Sequence, residues 1–260
     1  LHLVKNMVDA GAAQCVAGNH EFNAICYTTP APPEAGQSHV RAHTPRNNRL
    51  IAETLEQFAC CPEEWRMFLD WFKTLPLFLE MPGFRVVHAC WDQILVNEYL
   101  RRYRSNRINE ELVLQSLNPD SFAARVVDRL TRGTDIPLPE GTTITGRDGY
   151  VRDAFRTKFW ANNPRTYRDV VFQPDPLPEN IADRELSPHE SERLLCYPPQ
   201  ELPVFVGHYW LQGRPKPLRN NVACLDYSAV KFGRLVAYRF DGERKLSADK
   251  FVWVYVDPVN

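Results

Sequence analysis

The spacing of apolar residues along the 260-residue chain changes period several times, and each change marks an element. Leu1, Val4, Met7, Val8 and Ala10 recur at helical spacing until Gly11, which predicts an opening helix. Gln14 to Ala17 reads as a short strand running into Gly18. A proline-rich loop over 28–45 follows, and then Leu50, Ile51, Leu55 and Phe58 predict a helix from about Asn47 to Ala59. The next helix starts at Pro62, whose fixed φ suits a first helical position. Glu63 and Glu64 complement its dipole, and it runs to about Leu75. Trp65, Phe68, Trp71 and Phe72 share one face of it and belong in a core. Leu77–Met81 and Phe84–Ala89 flank Pro82-Gly83, which predicts a hairpin.

Helices are expected over 92–104, 109–117 and 119–132, the last with Asn118 as cap and Pro119 in its first position. Proline and charge then dominate through 173–178 to Pro198-Pro199. With little strand signal over 92–200, this stretch is expected to be a helical lid inserted into one domain spanning 1–260. From Leu202 the pattern turns to β, with strands expected at Val204–Val206, Val222–Tyr227, Leu235–Phe240 and Phe251–Val256. The class is α/β.

Composition narrows what such a chain does. Hydrophobic residues at 44% and charged residues at 24% exclude a disordered, collagen-like or coiled-coil chain. A formal net charge of −1 provides no global field toward nucleic acid or an anionic membrane, so any phosphate binding has to be local. Seven cysteines without a C-x-x-C pair suggest a reducing compartment. No apolar run reaches membrane-spanning length and no signal peptide is evident, so a cytoplasmic chain with neither membrane nor nucleic-acid partners is expected.

Three times an apolar run ends in a metal-capable residue: Cys15-Val16-Ala17-Gly18-Asn19-His20-Glu21, Val86-Val87-His88-Ala89 and Phe205-Val206-Gly207-His208-Tyr209. Imidazole and amide oxygen suit a borderline transition metal. Taken singly, such a histidine is more often structural, and Gly-Asn-His-Glu also reads as a tight turn with Asn19 left-handed. In combination and order, the three segments resemble the calcineurin-like metallophosphoesterase superfamily, nearest its bacterial serine/threonine phosphoprotein phosphatase and symmetrical dinucleoside tetraphosphatase branches. The resemblance is densest over 12–27, 84–92 and 204–242. The last segment includes Cys224-Leu225-Asp226-Tyr227-Ser228 and Gly233-Arg234-Leu235-Val236-Ala237-Tyr238-Arg239.

The resemblance implies two mixed β-sheets packed face to face with flanking helices, and a site at the strand ends. It implies Asn19, His88 and His208 as ligands of one of two metal ions (manganese, iron, zinc or nickel), His20 as general acid and Glu21 in support. The implied reaction is hydrolysis of a phosphate ester or phosphoanhydride by a hydroxide bridging the metals. Its substrate would be a phosphoprotein, a dinucleoside polyphosphate or a small phosphomonoester. The family's Asp-x-His and Gly-Asp-x-x-Asp motifs do not occur in the chain, and Tyr209-Trp210 follows His208 where many members have Gly-His-x-His. The chain is therefore expected to be the C-terminal portion of a longer enzyme. The alternative is a catalytically inactive relative acting as a binding or regulatory module.

Arginine, at 24 residues against 7 lysines, clusters at 101, 102, 104 and 107 and again at Arg147, Arg152 and Arg156. Arg152 and Arg156, near the aromatic pair Phe159-Trp160, are the candidate phosphate clamps, because a planar guanidinium matches two phosphoryl oxygens.

Overall fold

The computed structural model describes residues 1–145, 151–173 and 177–257, so Arg147 and the centre of the proline run at 174–176 lie outside the described residues. The protein is mixed α/β. It divides into two compact units: Leu1–Met81 with Arg85–His88 and Gln93–Thr131, and Pro82–Phe84 with Ala89–Asp92 and Arg132–Asn260.

The first unit is mainly helical. Helix α1 (His2–Asp9) follows the predicted spacing, yet none of its residues is buried. Gln14–Ala17 is not a strand. Its one backbone bond to a distant segment among the described contacts runs from Ala17 N–H to Pro76 O at 2.8 Å. Proline has no N–H to return a bond, so no ladder grows from that pairing. Helix α2 (Asn19–Thr28) begins at Gly18, which overturns the expectation of a left-handed turn at Asn19. Phe22, Ile25 and Cys26 are the buried apolar side of α2, which packs against α4.

Helix α3 (Pro45–Gln57) is capped by Thr44, whose hydroxyl accepts from Asn47 N–H. Helix α4 (Pro62–Lys73) buries Phe68, Trp71 and Phe72 as its stripe predicts. Strands β1 (Phe78–Met81) and β2 (Phe84–Val87) form the expected pair. Helices α5 (Gln93–Tyr103), α6 (Glu110–Gln115) and α7 (Phe122–Arg132) follow. Pro119 does not open α7. The Asn118 carboxamide oxygen instead accepts from Asp120 N–H at 2.9 Å, which closes a local turn, and the Ser121 hydroxyl accepts from Ala124 N–H at 3.0 Å as the real cap.

The second unit corrects the expectation of a helical lid. Strands β3 (Asp135–Pro137), β4 (Ile144–Thr145), β5 (Val151–Arg152) and β6 (Ala154–Thr157) precede the single-turn helix α8 (Tyr167–Val170) and strand β7 (Val171–Gln173). Strands β3, β6 and β7 form an antiparallel sheet in which Ile136 opposes Phe155, and β4 pairs with β5. Phe155 and Thr157 are buried while Ala154 and Arg156 are half-buried, a period of two over only four residues. Strands this short leave too little pattern for the sequence to display.

Two short helices follow, α9 (Glu179–Ala182) and α10 (Pro188–Arg193). Strands β8 (Val204–Val206) and β9 (Val222–Cys224) are parallel and buried at every position, as a strand covered on both faces should be. The expected strand Val222–Tyr227 breaks at Leu225, whose N–H bonds Val206 O at 2.8 Å. The chain then enters a second sheet as β10 (Asp226–Tyr227), paired with β11 (Arg234–Tyr238), which pairs with β12 (Phe251–Tyr255).

Ser121→Ala should destabilise the protein by about 1 kcal/mol through loss of the cap, whereas Pro119→Ala should be close to neutral. Urea denaturation of the two variants tests this. The reverse order would restore Pro119 as the helix start.

Candidate functional site

Gly18, Asn19, His20 and Glu21 occupy the first turn of α2. The Glu21 carboxylate folds back to accept from Gly18 N–H at 2.8 Å, neutralising one of the orphan donors of a helix N-terminus. That bond makes Glu21 a structural support of the turn. Asn19 is half-buried and His20 is exposed. His88 directly follows β2, and its Nε2 lies 2.9 Å from the Asn19 amide oxygen. An amide oxygen only accepts, so as a hydrogen bond this contact uses the tautomer with its proton on Nε2.

The approach depends on Gly18 being bare. A Cβ there would stand 2.7 Å from both Cε1 and Nδ1 of His88 and 3.0 Å from the Glu21 carboxylate. Gly18 has an ordinary extended backbone, so its requirement is for space and not for a positive φ. Burial, followed by the proximity of His20, lowers the His88 pKa to about 4. The ring is therefore neutral near pH 7, the form in which imidazole binds metals.

His208 belongs to the second unit and is buried in a strained turn. Tyr209 N–H bonds Gly207 O at 2.8 Å, closing a γ-turn whose central residue, His208, has φ 66°. Trp210 is also left-handed at φ 49°. Tyr209, between them, is fully buried, with its ring perpendicular to Trp160 at 4.9 Å and to Phe172 at 5.1 Å. Its hydroxyl donates to Ala89 O at 3.0 Å. Burial pushes the Tyr209 pKa well above its ordinary value and that of the Cys224 thiol up to about 12, so both stay neutral. Arg152 and Arg156 lie on β5 and β6 of this unit and are half-buried, and Phe159-Trp160 is part of the buried aromatic group.

Of the expected site residues, Asn19 and His88 are brought into direct contact, with His20 and Glu21 in the same turn as Asn19. Two ligand atoms each about 2.1 Å from one ion and at right angles stand about 3.0 Å apart, so the Asn19–His88 spacing suits a shared ion as well as a hydrogen bond. Neutral imidazole with an amide oxygen is a donor set a borderline metal accepts. The contact is a pair and not a full coordination shell. Among the described residues no three His, Cys, Asp or Glu side chains gather as a metal cage. An open cavity of the first unit, about 280 Å³, is lined by Ile25, Thr29, Lys73, Ile108, Asn109, Glu110 and Val113 and includes none of the candidate residues.

Sequence spacing did not reveal the Gly18–His88 approach or the γ-turn at His208. The only signal near the first is Glu21 three residues after Gly18, the spacing at which a carboxylate reaches back to the N–H of the cap residue. Among the described residues no helix is long and apolar enough to cross a membrane. Neither family models, curated proteins nor solved structures give a match to the chain.

Gly18→Ala should push the His88 ring away from Asn19 and destabilise the protein by about 1–3 kcal/mol. An unchanged denaturation midpoint and an unchanged His88 imidazole spectrum would contradict the close approach. A lowered histidine pKa means that the unfolded chain takes up a proton before the native one does. Stability supplied by neutral His88 is thus full above about pH 6.5 and is lost as the pH falls toward 4. The loss should be on the order of 2 kcal/mol and absent from His88→Gln when denaturation is followed from pH 7 to 4.5 without metal. Equal slopes for the two proteins would contradict it.

Proposed function

We propose that the chain carries part of the active centre of a metal-dependent phosphoesterase. The observation that carries this reading is the contact between the Asn19 amide oxygen and neutral His88, at the two positions where the metallophosphoesterase resemblance asks for ligands of one ion. The resemblance adds His208 as a further ligand. Its left-handed γ-turn favours a functional role, since a histidine held in this region costs on the order of 1–3 kcal/mol that the surrounding packing has to offset. The two-sheet sandwich belongs to the same reading.

Metal ions held there would supply Lewis-acid charge that neutralises phosphoryl oxygens and makes water more acidic. The chain's own residues do the rest. Asn19 and His88 orient the site, Glu21 fixes the turn that presents them, and exposed His20 donates its ring proton to the departing oxygen of the ester. Arg152 and Arg156 are the candidate guanidinium clamps for the phosphate. The substrate is a phosphorylated molecule of the phosphoprotein, dinucleoside polyphosphate or phosphomonoester class.

The absence of Asp-x-His and Gly-Asp-x-x-Asp favours a second reading, an inactive relative that binds metal or phosphate without turnover. Steady-state assays on the full chain with manganese separate the two. Chelation should abolish hydrolysis of p-nitrophenyl phosphate. His20→Gln should lower kcat on an alkyl phosphate by about 10²–10⁴-fold and affect the aryl ester far less, because nitrophenolate departs without a proton. Equal losses on both esters would remove His20 from the acid role, and metal binding with no turnover would favour the inactive relative.

A further inference from the structure

The loops flanking His208 expose large apolar side chains on backbone that such residues seldom adopt. Trp210 is 37% exposed at φ 49°, Phe232 is 62% exposed at φ 57°, and Val230 is 81% exposed. Ser228, at φ 60°, opens the single turn of 3₁₀ helix, Ala229–Lys231, that carries Val230 and Lys231. A left-handed conformation costs free energy for any residue with a Cβ, and leaving Trp and Phe in water forgoes their burial.

The loop is nevertheless held rigidly. The Asp226 carboxylate accepts from Ser228 N–H at 3.0 Å and its carbonyl from Leu211 N–H at 2.9 Å, tying the 226–233 loop to the turn that follows His208. Gly233 closes the loop where a Cβ would stand 2.2 Å from Tyr227 O, so only glycine fits. The Lys231 ammonium rests over the Trp210 ring at 4.0 Å. An indole ring, two residues along the chain from His208, and an ammonium are therefore presented together, and the exposed Phe232 follows Lys231 in the chain.

We propose that Trp210, Lys231 and Phe232 form a subsite for the aromatic portion of a phosphorylated ligand, such as an aryl or nucleoside phosphate. The rings receive the flat group and Lys231 its negative charge. The charge complementarity decides the occupant. A purely apolar partner would strip the ammonium of water with only the indole ring against it, whereas an aromatic anion brings a counter-charge to the cation and a flat group to the exposed rings. The placement of the phosphate beside His208 rests on the phosphoesterase reading.

Calorimetric titration of the full chain with phenylphosphonate and with methylphosphonate, neither of which can be hydrolysed as an ester, tests the subsite. Phenylphosphonate should bind about tenfold more tightly, in keeping with one aromatic stacking contact. Trp210→Ala and Phe232→Ala should each erode that preference, Trp210→Phe should retain most of it, and Lys231→Ala should weaken both ligands. Phe232 is exposed, so its variant keeps the test valid should Trp210→Ala fail to fold. Equal affinity for the two phosphonates would overturn the aromatic subsite while leaving the phosphoesterase reading intact. A preference that survives both alanine variants would also overturn it, by placing the ring elsewhere. Binding of neither phosphonate would overturn the subsite and the phosphate reading together.

Discussion

The His88 imidazole lies where a side chain on residue 18 would be, and the geometry of the first unit's candidate site follows from that approach. With no Cβ at Gly18, the ring comes close enough for Nε2 to meet the Asn19 amide oxygen. The same backbone is pinned by Glu21, whose carboxylate takes the Gly18 N–H and fixes where α2 starts. Because α2 also buries Phe22, Ile25 and Cys26, the helix and the site share one anchorage. Burial that keeps His88 neutral is a consequence of this packing, and a shift of the ring proton from Nε2 to Nδ1 would leave the Nε2 lone pair available to a metal.

The second unit reaches a comparable rigidity by other means. There the constraint is backbone strain, with His208 and Trp210 both left-handed around a tyrosine whose ring is enclosed by aromatic neighbours and whose hydroxyl is bonded to Ala89 O. Buried Tyr209 supplies the packing that holds the turn, with His208 buried on one side of it and Trp210 partly exposed on the other. Strained non-glycine positions concentrate at sites of function more than elsewhere, which is why this turn weighs in the functional reading despite lacking a sequence signal of its own.

Long apolar periodicities were legible in the sequence. The stripe of Trp65, Phe68, Trp71 and Phe72 specifies α4, and Pro82-Gly83 specifies the turn between β1 and β2, because local spacing and turn chemistry decide both. Helix α2 was hidden, since an apolar run into Gly-Asn-His-Glu reads equally as a strand end, and the partner that denies 14–17 a ladder is a proline sixty residues away. Strands of two to four residues between 135 and 173 carry too short a period to read. At the candidate site, Asn19 and His88 could be named from motif order, whereas their contact and the bare glycine behind it depend on tertiary packing that spacing does not encode.

Whether Asn19 and His88 bind an ion together is most directly measured by adding Mn²⁺ to the full chain labelled with ¹⁵N at histidine and asparagine side chains. Substoichiometric Mn²⁺ should broaden the His88 imidazole and the Asn19 carboxamide before the exposed rings of His43 and His189, and Asn19→Ala should relieve the broadening at His88. Broadening confined to exposed histidines, with His88 and Asn19 untouched at saturating metal, would show that the pair is a structural hydrogen bond and would remove the metal centre from the first unit.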